Sequence, residues 1–329
     1  MKKIINAIDK VEEEMILGLV KSAPDKLRKL DCGNVVVRAQ KKEGKVALVS
    51  GGGSGHEPAH GGYVGEGMLD GAVAGAVFTS PTPDQIFEAI KAVATDKGVL
   101  CVVKNYTGDI MNFEMAIDMA KDEGIEADYV VVNDDVAVKD SLYTTGRRGV
   151  AGTILVHKIA GALAETGASL AEVKAVAEKV IENVRTMGMA ITACTVPAAG
   201  KPGFELTEEE MEIGIGIHGE PGTSREKIKT ANEIANELLT KITDDIDFAG
   251  KEVAVIVNGM GGTPLMELYI VNNYVSDFLK DKGIKVYDTM VGNYMTSIEM
   301  AGFSITLLRL DDELKALYDA KADTPALKR

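Results

Sequence analysis

The sequence predicts an α/β protein of two α/β domains, the first built on a mainly parallel, Rossmann-like sheet. Three observations carry that expectation. At 329 residues the chain exceeds the usual size of a single core. Its first two-thirds alternates short apolar runs with amphipathic segments, the βαβ rhythm of parallel strands joined by helices. A second series of such segments follows. The boundary is expected near Arg185, dividing the chain into residues 1–184 and 185–329.

In chain order, the apolar run 45–49 reads as a strand and 82–94 as a helix, with Thr82 able to cap and Pro83 suited to the first turn. Residues 99–103 form the next strand, 113–121 a helix, 129–132 a strand and 150–165 a long helix. An amphipathic helix over 169–186 precedes a strand-like 190–196 and the polar turn 197–203. After these come a strand leading to His218, a helix over 224–240, a strand over 252–258, and a Gly-Met-Gly-Gly-Thr-Pro turn (259–264) entering a helix. Strands at 285–289 and 303–310 close the second domain. In parallel sheets ligands gather beyond the carboxyl ends of strands, so the loops after Val49, Phe78, Val103 and Val132 are the places to look.

Composition narrows the class. Apolar residues make up 46% and charged residues 26%, with no Trp, an ordinary globular balance. A formal charge of −14 with no basic stretch opposes binding to nucleic acid. Cys32, Cys101 and Cys194 are widely spaced and match no metal pattern, which suits a reducing cytosol. Acidic residues from Asp9 to Glu14 interrupt the N-terminus before a signal peptide could form, and no stretch supplies the ~20 apolar residues of a membrane span. A cytoplasmic protein without membrane partners is expected.

The densest feature is residues 50–81, with ten glycines in 32 residues and two histidines among them. Glycine loses much entropy wherever it is fixed, so this density suggests a glycine-rich loop folded tightly around a ligand. A second feature, 212–222, reads Glu-Ile-Gly-Ile-Gly-Ile-His-Gly-Glu-Pro-Gly. As a strand it would place Ile213, Ile215 and Ile217 on one face and Gly214, Gly216 and His218 on the other, leaving space beside the imidazole. His218 either ends a strand structurally or serves a ligand in that space. The Glu-Pro pair after His218 echoes His56-Glu57-Pro58.

No GxxxxGK[ST] occurs, Gly51 to His56 does not give GxGxxG and 259–264 lacks its third glycine, so no home for ATP or a dinucleotide cofactor is expected on this chain. His56-Glu57-Pro58-Ala59-His60 matches HExxH formally, but a zinc site of that kind needs a helix, which Pro58 opposes by ~3 kcal/mol. No metal is expected, and His60 reads as a packing or turn residue. Lys104 and Asp109 follow the 99–103 strand, and Ser80 ends another strand of the same layer. Arg147-Arg148 suits an anion, a partner or a structural salt bridge, and His157 reads as structural within a helix.

These strings resemble a known family, the dihydroxyacetone-binding K subunit of phosphotransferase-dependent dihydroxyacetone kinase. The resemblance runs through GGGSGHEPAH (51–60), FTSPTPDQI (78–86), VKNYTGDIMNFEMA (103–116), YTTGRRGVAGT (143–153), VPAAGKP (196–202), MEIGIGIHGEPG (211–222) and NGMGGTPLMELY (258–269), covering essentially the whole chain. It implies that His218 adds through a ring nitrogen to the dihydroxyacetone carbonyl, giving a covalent hemiaminal. Gly53, Ser80 and Lys104 would bind the substrate's oxygen groups. His56 would assist acid–base chemistry at the carbonyl oxygen, and Asp109 would accept the proton of the hydroxyl being phosphorylated. ATP-dependent relatives carry a helical nucleotide domain after this module, and the chain stops at Arg329 without one. The expectation is therefore the split system. A separate ADP-containing L subunit would relay phosphate from the phosphotransferase M component, and this chain would form a homodimer. A rival expectation is a non-catalytic, dihydroxyacetone-binding coactivator of a transcription regulator.

Overall fold

The computed structural model describes residues 2–139 and 145–329. Tyr143 and Thr144, which open one of the motif strings above, lie outside the described residues. After helix α1 (Val11–Ser22), the first sheet comprises β1 (Leu27–Lys29), β2 (Val35–Arg38), β3 (Ala47–Ser54), β4 (Gly71–Val77), β5 (Val99–Lys104) and β6 (Ala127–Val132). Their order is β1-β2-β4-β3-β5-β6. The four strands β4-β3-β5-β6 are parallel, while β1 and β2 join antiparallel at one edge.

Helices α2 (Pro83–Val93) and α3 (Thr107–Asp122) cover one face of this sheet, and α4 (Thr153–Glu165) and α5 (Leu170–Asn183) the other. Strand periodicity divides the side chains between them. Val49, Val99, Cys101 and Val103 pack toward Phe87, Ile90, Phe113 and Ile117, whereas Leu48, Leu100 and Val102 pack toward Ile154, Ile159 and Val176. Burial on both faces explains why these strands read as unbroken apolar runs. Thr82 is the N-cap residue of α2 and Pro83 its first helical residue, but the Thr82 side chain makes no capping hydrogen bond.

The second sheet contains β7 (Val184–Ala190), β8 (Glu210–Ile213), β9 (Ser224–Lys227), β10 (Glu252–Gly259), β11 (Lys285–Gly292) and β12 (Gly302–Leu310), in the order β11-β10-β12-β7-β8-β9. Only β10 and β11 pair in parallel. Helices α6 (Ala231–Asp245) and α7 (Leu265–Asp281) pack Leu238, Ile242, Val271 and Val275 onto one face. Ala254, Ile256, Leu308 and Leu310 on the opposite face join the α4/α5 cluster of the first sheet, as do Leu314 and Tyr318 of α8 (Asp312–Asp319). The structure therefore has two α/β sheets with a shared apolar layer between them. No described helix is long and apolar enough to cross a membrane.

Several local expectations are corrected. Gly51 to Gly53 belong to β3, hydrogen-bonded in register with Val73 to Gly75, rather than to a loop after it. Close approach explains the composition, since a Cβ on Gly53 would stand 2.5 Å from the Thr79 nitrogen. Helix α3 begins at Thr107, so Asp109 occupies its first turn. Residues 191–196 leave the sheet, because the strand is the preceding Val184–Ala190. The segment 224–240 is split: β9 ends at Lys227, and Thr230 with Glu233 forms a capping box that starts α6 at Ala231.

Candidate active site

The strand expected to carry His218 stops early. β8 ends at Ile213, and Gly214 takes φ +75°, a left-handed conformation that glycine adopts without penalty. Ile213, Ile215 and Ile217 are all buried, but each enters a different apolar cluster, so their alternation reflects three environments rather than one strand face. What shapes this segment is Arg148. Fully buried, it donates to Asp135 at 2.7 Å, to the Gly214 carbonyl at 2.7 Å and to the Pro221 carbonyl at 3.5 Å. Both arginines thus serve salt bridges, Arg148 with Asp135 and Arg147 with Asp245.

The loop delivers His218 to a cleft of about 610 Å³ whose walls include Gly53, Phe78, Ser80, Tyr106, Asp109 and Glu220. Three rings surround the imidazole: Tyr106 at 4.5 Å, His56 at 4.7 Å and Phe78 at 5.3 Å between centroids, all edge-on. His218 Nδ1 donates to Glu220 Oε1 at 2.7 Å, and Glu220 Oε2 accepts the His218 backbone N–H at 2.9 Å. Burial alone would raise the Glu220 carboxyl. His218 and Arg148 outweigh it and bring the group down to about 2, so Glu220 is ionised. With Nδ1 committed, Nε2 is the ring nitrogen of His218 available to a ligand.

His56 lies beside His218, stacked on Phe78 at 5.2 Å and fully buried. Its Nδ1 donates to the Thr296 carbonyl at 2.8 Å, which fixes the tautomer with a lone pair on Nε2. That Nε2 is buried without a hydrogen-bond partner. Burial, together with the charges of His218 and Lys104, pushes His56 well below the usual histidine range and keeps it neutral.

Ser80 Oγ donates a short hydrogen bond to Asp109 Oδ1, and Lys104 Nζ stands 3.7 Å from Asp109 Oδ2. Gly53, Ser80, Asp109 and His218 line the cleft, whereas Lys104 is wholly buried and reaches it through Asp109. Burial lowers the Lys104 ammonium, and Asp109 opposes that shift. The HExxH-like residues 55–60 form a turn instead of a helix. His60 bonds to Lys104 and His157, so it is more than a packing or turn residue. Among the described residues no group of three or more His, Cys, Asp or Glu could hold a metal.

Sequence reasoning missed Glu220, Tyr106 and Phe78. Glu220 was visible as the echo of Glu57, without a role. Tyr106 sits in the same string as Lys104 and Asp109, and burial and Glu220 raise its phenol well above the ordinary range. Phe78 was seen only as the end of a strand, although it takes φ +58°, an uncommon conformation for a residue with a Cβ.

Residues 17–326 match the Dak1 domain. The chain is 59% identical to the PTS-dependent dihydroxyacetone kinase 1, dihydroxyacetone-binding subunit DhaK of Listeria innocua, over 95% of each chain. Its fold superposes on the dihydroxyacetone kinase operon co-activator Dha-DhaQ with a TM-score of 0.91 and 40% identity, covering 95% of this chain and 97% of that one. It also matches the dihydroxyacetone kinase of C. freundii in complex with AMP-PNP and Mg2+, with a TM-score of 0.91 and 33% identity. There it covers 98% of this chain and 60% of that chain.

Proposed function

The chain belongs to the Dak1 domain family, and from that premise we propose that it is the dihydroxyacetone-binding subunit of a phosphotransferase-dependent dihydroxyacetone kinase. One observation carries the reading: an imidazole oriented by an ionised carboxylate faces a cleft whose other wall presents a buried carboxylate, Asp109. The two groups suit two successive steps on one small ketone.

In the first step the His218 Nε2 lone pair attacks the carbonyl carbon. A C–N bond forms, and the carbonyl π pair moves onto oxygen. Glu220 stabilises the imidazolium, whose Nδ1 proton stays in the hydrogen bond between them, and the alkoxide takes up a proton from solvent to give the hemiaminal hydroxyl. Proton exchange at that oxygen falls to His56, whose partnerless Nε2 lies beside the reacting ring. Gly53 allows close approach of the backbone, and Ser80 and Lys104 hold substrate oxygens. In the second step Asp109 accepts the proton of the terminal hydroxyl as that oxygen attacks the phosphoryl group and the bond from phosphorus to the ADP of the donor subunit breaks, giving dihydroxyacetone phosphate and leaving ADP on that subunit. Glycerol has no carbonyl for His218 to attack and is rejected chemically.

The phosphoryl donor is presented by a separate ADP-bearing L subunit, itself recharged from the phosphotransferase M component, and this chain works as a cytoplasmic homodimer with no cofactor of its own. The likeness to a subunit of a phosphotransferase-dependent kinase along nearly the full length of both chains supports that division of labour. The rival role as a coactivator draws support from the Dha-DhaQ likeness. Both roles need the ketone site, so phosphoryl transfer separates them. Purified phosphotransferase components and the L subunit are assayed for dihydroxyacetone phosphate with this chain added or omitted. Production that depends on the chain supports the kinase reading. Absence of production with a competent L subunit, or turnover by the chain with ATP alone, overturns it.

A further inference from the structure

Beside the glycines of β3 runs a line of buried nitrogen-bearing side chains, of which the steps above use only Lys104. Lys104 Nζ lies 3.0 Å from His60 Nε2, and His60 Nδ1 lies 3.0 Å from His157 Nε2. Lys104 and His157 are fully buried, and His60 is nearly so.

Hydrogen-bond accounting fixes the protons on this line. A lysine ammonium donates and never accepts, so His60 must offer a lone pair at Nε2 and carry its proton on Nδ1. That proton is donated to His157 Nε2, which places the His157 proton on its own Nδ1, a buried nitrogen without a partner. Ser50 supplies an independent check. Its hydroxyl donates to the Val102 carbonyl at 2.6 Å, so its contact with His60 Nδ1 at 3.4 Å also requires the proton on Nδ1. Burial and the Lys104 charge push both histidines down, His157 to about 3, so both rings are neutral.

We propose that His60, its tautomer fixed by His157, is a positioning residue that supplies the lone pair aiming the Lys104 ammonium at the Gly51 carbonyl and the Asp109 carboxylate. The proposal rests on the reading above, in which Lys104 and Asp109 serve the substrate. Lys104 Nζ donates to Gly51 at 3.3 Å, and Asp109 is the ionic partner at 3.7 Å. The titratable groups that bear on Lys104 are Asp109 from α3, His157 from α4, and His56 and His60 from the 55–60 turn. Only Asp109 among these is an anion, so besides it the proton on Lys104 is held by the His60 lone pair at 3.0 Å and, at the longer 3.3 Å, by the Gly51 carbonyl. Without that lone pair the ammonium loses its proton at lower pH and stops donating.

The test is made on the full chain with labelled histidine and lysine. Long-range ¹H–¹⁵N correlation in wild type is expected to show the proton on Nδ1 of both His60 and His157. A proton on His60 Nε2 overturns the proposal, and this measurement stands even if variants misfold. Following the Lys104 ¹⁵N signal, assigned by its loss in Lys104→Arg, His60→Leu lowers the titration of Lys104 by about 1–2 pH units, the size of one charge-assisted hydrogen bond. His60→Gln, which keeps an acceptor, restores most of that shift. In the reconstituted transfer assay the alkaline limb of the rate profile moves down in His60→Leu and returns in His60→Gln. A folded His60→Leu protein with unmoved Lys104 titration overturns the proposal. If wild type shows the expected tautomers and titration but supports no transfer, the kinase reading fails while the positioning role stands.

Discussion

His56 and His218 stand ring to ring, each beside a Glu-Pro pair, yet their Nδ1 atoms are held by chemically different partners. His56 donates to a backbone carbonyl, and its neighbour Glu57 turns back to accept the Gly55 N–H. His218 donates to a carboxylate. A carbonyl fixes the tautomer and does little more. A carboxylate also stabilises the positive charge that appears on the ring when its other nitrogen bonds to carbon. Burial holds His56 well below the usual histidine range, so it stays neutral and suits proton exchange, whereas His218 suits attack. Two similar sequence elements thus acquire separate roles from what stands behind each ring.

The most severe way to break this comparison is His218→Ala. Wild-type protein incubated with dihydroxyacetone should gain the mass of the whole ketone, without loss of water, because an alkylated imidazole has no hydrogen left for imine formation. The variant should gain nothing. Loss of water in wild type would point to a lysine Schiff base at Lys104 instead.

Next in size is Asp109→Asn, which removes the base and keeps the shape. The adduct should still form by mass, while transfer in the reconstituted system falls by about 10²–10⁴-fold. Near-normal transfer would reduce Asp109 to a ligand contact.

Glu220→Gln sharpens the contrast directly, since it gives His218 a neutral partner like that of His56. Adduct formation, timed by quenched mass measurement, should slow by about 10–10²-fold, by analogy with losing the carboxylate behind a metal-bound histidine. Acid stability gives a second readout. The Glu220 carboxyl sits at about 2 in the folded protein against an ordinary 4.5, so its contribution is complete above the ordinary value and is lost as pH falls toward about 2. The stability gap between wild type and variant in denaturant should therefore narrow between about pH 5 and about pH 3. A gap that widens would contradict an ionised Glu220.

The smallest effect on adduct formation is expected from Gly52→Ala. A Cβ there would lie 2.4 Å from Lys104 Nζ, forcing the ammonium aside at a stability cost of about 1–3 kcal/mol, measurable by denaturant unfolding. Adduct formation at His218 should persist.

Much of the first sheet was legible because β5 and β6 are buried on both faces and advertise it as apolar runs. The extension of β3 through Gly51 to Gly53 was not, since glycine carries no side-chain pattern and weak strand preference. Its place in the sheet comes from hydrogen bonds to β4, a partner distant in sequence. The cleft residues His218, Asp109, Ser80 and Gly53, and His56 buried beside them, were accessible through motif strings. Glu220 escaped because its function depends on a two-residue turn back to His218, created by Gly219 at φ +78° and by Arg148 from another element. His60 escaped for a similar reason, because its partners lie 44 and 97 residues away.

The shared apolar layer between the sheets has a consequence for how the molecule is made. Ile16 and Leu48 belong to the same cluster as Ile256, Leu308 and Tyr318, and the Ala326 amide closes on the Gly62 carbonyl. A nascent chain emerging from a ribosome in N-to-C order holds α1 and the first sheet long before α8 exists to cover them. The early half must wait with part of its interior open to solvent and to chaperones, and contacts of such sequence separation delay final closure. The cleft itself takes Gly53 from the first sheet and His218 from the loop after β8, so a product truncated before His218 carries no working half-site.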